Sequence, residues 1–230
     1  MDHSRGYRGD MTTQPAPVPA TSTSLTKRVL PASPVRAGLV IASFTAALYL
    51  ISLVNWLGFH WDLRQYGIVP RSLSGLPGIV WAPLLHGGWA HLLGNTIPVL
   101  IFGFLAMAVG IGPWIASTVL IWLVSGIGVW LTGSGVTIGA SGIAFGWLAF
   151  LLVRGLFNRS FGQIIVAIVL LFFWGSTLLG LIPGLHPNIS WQAHLFGALG
   201  GVLAAWLAAK AAKAGKRKSE ESAPTTIVNP

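Results

Sequence analysis

The sequence of 230 residues contains no cysteine and few charged residues. Without cysteine, disulfides, thiolate nucleophiles, iron–sulfur clusters and cysteine-ligated zinc are excluded. Only 8% of the residues are charged, about a third of the share in a soluble domain. By contrast, 53% are hydrophobic and the mean hydropathy is +0.72. This composition excludes a soluble globular enzyme and a wholly disordered chain, and it predicts an all-α polytopic membrane protein.

Carboxylates are scarce, and none lies in a long apolar stretch. The acids are Asp2, Asp10, Asp62, Glu220 and Glu221. Proton relays and ion paths usually depend on ionisable residues inside the membrane, so a transporter or channel is the weaker interpretation. An intramembrane aspartyl protease needs two buried aspartates, and a membrane metalloprotease needs a His-Glu-x-x-His helix. Neither pattern occurs, so the sequence predicts no metal site and no cofactor.

Six apolar stretches approach the roughly 20 residues that a helix needs to cross a hydrocarbon core of about 30 Å. They cover residues 35–59, 91–110, 114–131, 141–153, 164–182 and 191–209. We therefore predict a six-transmembrane-helix bundle over residues 35–211. A disordered N-terminal tail, 1–34, is rich in Pro, Ser and Thr, and a basic, polar tail, 212–230, follows the bundle.

The Lys and Arg residues predict the orientation of the bundle. Twelve of the fourteen lie before the first span, between spans four and five, or after span six. Six spans put these regions on one side, which the positive-inside tendency assigns to the cytoplasm. Both termini are thus predicted to be cytoplasmic, in a bacterial plasma membrane, since no organelle-targeting presequence is seen. Topology and attraction to anionic lipid explain the net charge of +9, so nucleic acid is not expected as a partner.

Polar residues recur where the even-numbered spans begin. With the N-terminus inside, these spans all start on the outer side, which brings four residues to one layer: His91, Asn95, Ser141 and His194. Ser141 lies 13 residues before Arg154, which we expect near the inner interface. At about 1.5 Å per residue, Ser141 then lies roughly 10 Å below the outer boundary of the core. The Gly-rich segment 133–139 must dip inward as irregular backbone, which is tolerated where it lines a wet cavity.

Small residues predict close contact between spans four and six. Glycines recur four residues apart on both: Gly142 and Gly146, and Gly197 and Gly201. Such faces let membrane helices approach closely, although the spacing is frequent in membrane proteins. Close approach is required if a serine on span four is to reach a histidine on span six.

Ser141 and His194 are candidates for a two-residue catalytic arrangement. Each alone could equally be a packing serine or a satisfied core histidine. No acid is available to orient the histidine as in a Ser-His-Asp triad. A catalytic His194 would therefore take the serine proton and return it to the leaving amine without an acidic partner.

Three motifs resemble those of the rhomboid intramembrane serine proteases. Residues 139–142, Gly-Ala-Ser-Gly, resemble the GxSG nucleophile motif. Residues 194–201 resemble the HxxGxxxG motif of that family's sixth helix. His91 and Asn95 match HxxxN on its second helix, and His86 fits the histidine pattern before it. The three motifs follow in the family's order on the corresponding spans, which implies a rhomboid-like six-helix bundle.

This resemblance also implies residue roles. Ser141 would be the nucleophile, and His194 would be the general base and acid. The oxyanion donors would be His91, Asn95 and the backbone N–H of Ser141, and losing one such donor typically costs on the order of 10² to 10³ in rate. The substrates would be proteins with a transmembrane segment that unwinds near its outer end, with a small residue before the cut.

Further positions follow from the same resemblance. It assigns Gly139 and His86 to substrate binding, while a structural role stays open for His86. Many members carry a tyrosine under the histidine where this chain has Phe145, so stacking should survive without the hydroxyl. Phe172, Phe173 and Trp174 on span five either flank substrate access or pack against lipid.

The sequence thus predicts an intramembrane serine endopeptidase that hydrolyses a peptide bond in or near a transmembrane segment of a membrane protein. The alternative is a catalytically silent rhomboid-like protein that holds membrane helices without cutting them. The intact serine and histidine argue against that alternative. The lipid bilayer is an expected partner, and the sequence leaves a homo-oligomer open.

Overall fold

The computed structural model describes residues 27–186 and 189–221. Six helices in this part of the chain are long and apolar enough to cross a membrane. We number the α-helices of these six segments α1 to α6: Pro34–Phe59, Trp89–Ala106, Ile111–Thr132, Ser141–Asn158, Phe161–Trp174 and Trp191–Glu221. The second and fifth segments reach their full length by continuing as 3₁₀ helix to Val109 and Leu181. The predicted all-α polytopic bundle is confirmed. Of the predicted N-terminal tail, residues 1–26 lie outside the described residues.

Shorter helical pieces connect the spans. A four-residue helix, Gly78–Trp81, lies in the loop between α1 and α2, and short segments of 3₁₀ helix make up the other pieces. These 3₁₀ segments are Asp62–Tyr66, Leu73–Gly75, Ala82–Leu84, Met107–Val109 and Gly175–Leu181. The last one continues directly from α5 and turns the chain toward α6, and it carries part of the candidate site.

Two helices run past their predicted ends. α4 continues to Asn158 rather than stopping near residue 153. α6 continues to Glu221, although its apolar stretch ends near residue 209. The residues beyond 209 are mostly alanine and lysine, which favour the helix without needing an apolar environment, so the helix outlasts the membrane-spanning stretch. Residues 222–230 of the predicted C-terminal tail lie outside the described residues.

α4 is the most buried of the spanning helices, with the other helices packed around it. Its large side chains Trp147, Leu148 and Phe150 are almost completely buried. Near the C-terminal end of α4, the buried Arg154 donates from Nη2 to the carbonyl oxygen of Arg28 over 2.6 Å. This bond fixes the chain ahead of α1 beneath α4.

α4 and α6 cross in direct backbone contact. A Cβ at Gly197 would collide with the carbonyl oxygen of Gly142, and one at Gly201 would collide with that of Gly146. The predicted contact between the small faces of spans four and six is therefore confirmed. It holds the first turn of α4 beside the first turn of α6.

The backbone that leads into α4 is irregular, as predicted. Between α3 and α4 it makes one isolated bridge, Ile68 with Thr137, and the N–H of Gly139 donates to the carbonyl of Ala82 over 2.8 Å. The loop between α1 and α2 is itself fixed on α3, where the indole of Trp122 donates to the carbonyl of Ile79 over 2.7 Å. Both loops therefore form one support for the start of α4.

Candidate active site

Ser141 and His194 lie within hydrogen-bond distance of each other. The Oγ of Ser141, the first residue of α4, is 2.9 Å from Nε2 of His194 in the first turn of α6. The close backbone crossing of the two helices one turn further in makes this approach possible. His194 is 5% exposed, whereas Ser141 is half-buried.

The other ring nitrogen of His194 faces a backbone carbonyl. Nδ1 lies 3.1 Å from the carbonyl oxygen of Gly180, in the 3₁₀ segment after α5. A carbonyl can only accept, so Nδ1 carries the proton and Nε2 presents its lone pair to the serine hydroxyl. This is the tautomer that a general base requires. Sequence reasoning missed Gly180, because a backbone carbonyl leaves no residue-type signature.

The ring of Phe145 packs against the imidazole of His194. Its ring stacks on the imidazole of His194, with centroids 3.9 Å apart and planes inclined by 7°. Phe145 lies one turn after Ser141 on the same face of α4, which brings its ring under the site. The stacking that the sequence predicted without a tyrosine hydroxyl is confirmed.

His91 presents Nε2 to the backbone just before Ser141. The N–H of Gly87 points to Nδ1 of His91 over 3.5 Å, so Nδ1 accepts and Nε2 carries the proton. A Cβ at Gly139 would lie 2.6 Å from that Nε2. Gly139 also has φ +114°, a conformation that favours glycine. Glycine at 139 thus allows the imidazole to approach the start of α4.

Asn95 lies one turn after His91 on α2 and is buried. Its Nδ2 donates to the carbonyl of His91 over 2.9 Å. An amide carries two hydrogens on Nδ2, so a second one is left for a ligand. The start of α4 adds backbone donors, because the first N–H groups of a helix have no partner inside the helix. Its partial positive charge also favours an anion there.

These donors face a cavity of about 420 Å³. The polar part of its wall comprises His91, Asn95, Ser141, Thr177, Ser190 and His194. Apolar side chains, among them Phe102, Ile138 and Phe145, form the rest of the wall. A second cavity of about 410 Å³ shares Ile189 and Ser190 with the first and lies between residues 134–137 and the chain before α6. The site is therefore a concave, partly polar space rather than a packed core.

His86 and Gly139 both lie beside His91. His86 is completely buried, and its ring meets that of His91 edge-on with centroids 5.0 Å apart. Burial, with a smaller effect from the neighbouring His91, lowers the pKa of His86 to about 3, so its imidazole is neutral. The predicted role of both residues in substrate binding stays a prediction, and their contacts with His91 fit a supporting role.

Among the residues that the structure describes, no group of three or more His, Asp or Glu side chains could hold a metal ion. The groups that line this site are a serine hydroxyl, imidazole rings, an amide and backbone groups. Together these can support nucleophilic attack and stabilise a developing oxyanion.

Comparison with known proteins gives one family. The family model described as Rhomboid domain matches residues 75–211. Uncharacterized protein Rv1337 of Mycobacterium tuberculosis is 47% identical over 180 residues, which cover 74% of each chain. Uncharacterized protein ML1171 of Mycobacterium leprae is 45% identical over 179 residues, covering 74% of this chain and 70% of the relative. Putative rhomboid protease YdcA of Bacillus subtilis is 31% identical over 128 residues, covering 54% and 63%.

Proposed function

Because the chain belongs to the rhomboid family of intramembrane proteases, we propose that it is a serine endopeptidase with Ser141 and His194 as its catalytic dyad. One observation carries this proposal. The serine Oγ lies 2.9 Å from His194 Nε2, while the opposite ring nitrogen is engaged by the Gly180 carbonyl. A serine that only packs a helix crossing has no need of an oriented base.

The first half of the reaction transfers an acyl group to the serine. Oγ of Ser141 attacks the carbonyl carbon of the scissile peptide bond while His194 Nε2 takes the hydroxyl proton. The resulting tetrahedral intermediate collapses, the C–N bond breaks, and the imidazolium returns that proton to the leaving amine. An ester between Ser141 and the N-terminal part of the substrate remains.

The second half repeats these steps with water. His194 takes a proton from the attacking water, a second tetrahedral intermediate forms, and the ester bond breaks with return of the proton to Oγ. Hydrocarbon excludes water, so the reaction depends on a wet cavity open to the outer side. The polar wall of the 420 Å³ cavity supplies such an environment.

Three donors stabilise the oxyanion in this mechanism. They are Nε2–H of His91, the second Nδ2 hydrogen of Asn95, and the backbone N–H of Ser141 at the start of α4. All three come from elements fixed before the reaction, so little reorganisation is needed as the negative charge develops. The N-terminus of α4 contributes a favourable field in the same place.

The substrate class follows from where the site lies. We infer a membrane protein whose transmembrane segment unwinds near its outer end, because an intact helix keeps its carbonyls bonded internally. The charge distribution supports a bundle with both termini in the cytoplasm, since Lys and Arg concentrate on that side. Mycobacterial and Bacillus relatives support a bacterial membrane as its location.

The test is cleavage of a transmembrane reporter by the protein reconstituted in liposomes. Ser141→Ala should abolish cleavage, and Ser117→Ala, a buried serine on α3 away from the cavity, should cleave as fast as wild type. A fluorophosphonate probe should label the wild type and the Ser117→Ala control but not Ser141→Ala. Equal cleavage by Ser141→Ala and wild type would overturn the proposal. A folded protein that retains the reporter but neither cleaves it nor reacts with the probe would instead be a binder of membrane helices.

A further inference from the structure

Asn55 is an amide with no exposed surface near the outer end of α1. It is far along the sequence from the dyad and belongs to none of the motifs that identify the site. A polar side chain buried inside a membrane helix is costly unless its hydrogen-bonding groups are used. Its partners therefore indicate what it does.

Both ends of the Asn55 amide have partners. Oδ1 accepts the N–H of Leu63 in the first outer loop over 3.1 Å. Nδ2 donates to the carbonyl oxygen of His86 over 3.5 Å. The second bond leads from α1 to the segment immediately before α2, where His91 lies.

The segment after His86 leads directly to His91. Gly87 directs its N–H to Nδ1 of His91, and the carbonyl of Gly88 accepts the N–H of Leu92 at the start of α2 over 3.1 Å. Two consecutive glycines restrict their own backbone very little, and Gly88 has φ +154°. The direction of the Gly87 N–H therefore depends on what holds either end of this short segment: the start of α2 on one side and Asn55 on the other.

We propose that Asn55 is a positioning residue for the oxyanion donor His91. By holding the His86 carbonyl, Asn55 directs the Gly87 N–H at Nδ1 of His91. That contact keeps the ring proton on Nε2, the nitrogen that faces the backbone before Ser141. The link to catalysis rests on the proposed function, whereas the control of the His91 tautomer does not.

A purely structural role for Asn55 would act through Leu63 alone. In that role Asn55 would only fix the first outer loop. Replacing Asn55 would then lower the stability of the protein and reduce its activity by the same factor, whichever residue stands at position 91. A positioning role acts through His91, so replacing Asn55 should cause no loss of activity once His91 has also been replaced. The two roles are therefore separable by a double-mutant cycle.

The kinetic test uses Asn55→Leu, which is close in size and lacks both hydrogen bonds. We expect kcat on the transmembrane reporter to fall about three- to tenfold, with KM unchanged. Ser52→Ala is the matched control, because Ser52 lies one turn earlier on α1, is buried, and its hydroxyl has no hydrogen-bond partner among the residues that the structure describes. In a His91→Ala background, Asn55→Leu should cause no further loss. An equal loss in both backgrounds would overturn the proposal.

The second test needs no proteolysis. Ring-nitrogen NMR shifts of ¹⁵N-histidine-labelled protein report the tautomer, and the signals of His91 are identified by their loss in His91→Gln. The wild type and Ser52→Ala should hold the Nε2–H form, and Asn55→Leu should lose that preference. An unchanged tautomer in Asn55→Leu would overturn the proposal. Asn55→Ala replaces the leucine variant if leucine prevents folding, with the same outcomes expected, and a protein without protease activity would still give this answer.

Discussion

The carbonyl oxygen of Gly180 lies 3.1 Å from Nδ1 of His194, in the position that a carboxylate occupies in a Ser-His-Asp triad. The contact joins the 3₁₀ segment after α5 to the first turn of α6. It selects the ring tautomer in which Nε2 can accept the proton of Ser141. A neutral backbone carbonyl thus orients the imidazole of His194, in a part of the sequence that holds no acidic residue.

Gly180→Ala should disturb this contact. The added Cβ would lie 2.9 Å from His194 Nδ1 and 3.3 Å from Cζ of Phe145, so the ring or the segment must shift. A displacement of this kind typically lowers kcat by about 10- to 100-fold, which reporter cleavage in liposomes would measure. Gly175→Ala is the control, because a Cβ there meets no atom within 4 Å and the residue belongs to the same 3₁₀ segment. Equal rates for the two variants would count against a role for the Gly180 contact.

His91→Ala should remove one of the three proposed oxyanion donors. We expect kcat/KM for the reporter to fall by about 10² to 10³, with labelling of Ser141 by a fluorophosphonate slowed in parallel. Ile97→Ala, on the exposed side of α2, provides a control and should stay close to wild type. A His91→Ala enzyme that keeps more than half of its activity would remove His91 from the mechanism.

Gly139→Ala should be inactive although it lies outside any helix. Its φ of +114° is unfavourable for alanine, and the new Cβ would stand 2.6 Å from His91 Nε2. The donor would be pushed away from the oxyanion position, so cleavage should fall at least as far as in His91→Ala. Gly135→Ala, in the same irregular segment but with open space around it, should be active. If Gly135→Ala loses as much activity as Gly139→Ala, the segment as a whole rather than the His91 contact is responsible.

Gly197→Ala should destabilise the bundle. Its Cβ would collide with the carbonyl oxygen of Gly142 and force α4 and α6 apart. Overpacking of this kind costs about 1–3 kcal/mol, so the thermal midpoint of the detergent-solubilised protein should drop. Gly215→Ala on the same helix meets nothing within 4 Å and should leave the midpoint unchanged or slightly higher. No difference between the variants would mean that the helices accommodate a Cβ at their crossing.

Acid should destabilise the protein through His86. Burial lowers its pKa from 6.5 to about 3 in the folded state, so between these values only the unfolded chain binds the proton. The contribution of His86 to the free energy of unfolding is therefore fully present above about pH 6.5. It falls as the pH drops toward 3, by up to about 1.4 kcal/mol per pH unit. Denaturant unfolding at pH 7 and pH 5 should show this loss, and His86→Phe should show a smaller one. The same pH dependence in His86→Phe would assign the effect to other groups.

Side chains with distinctive chemistry made much of the candidate site predictable. Ser141, His194 and His91 appear in the sequence at the starts of even-numbered spans, and topology alone puts them in one layer. Gly180 could not be found in this way, because it acts through a carbonyl that every residue possesses. Asn55 did leave a signal: it is the one amide side chain in α1, and a buried polar residue in a membrane span calls for a partner.

The fold, like the candidate site, was predictable from the sequence only in part. The hydropathy pattern located six spans because hydrocarbon selects for apolar length. It misjudged the end of α6, since helix propensity rather than burial maintains the residues beyond 209. The bond from Arg154 to the Arg28 carbonyl joins positions 126 apart in sequence, and no local pattern predicts such a pairing.

The use of a carbonyl rather than a carboxylate beside His194 has an electrostatic consequence for a site in a membrane protein. Before substrate arrives, the serine, the neutral imidazole, the amide and the carbonyl carry no formal charge, so the resting site avoids the large solvation penalty of an ion in a low-dielectric medium. During turnover the proposed mechanism creates one imidazolium and one oxyanion together, a few ångströms apart. The proton moves between neighbours and no net charge has to cross into the membrane at any step.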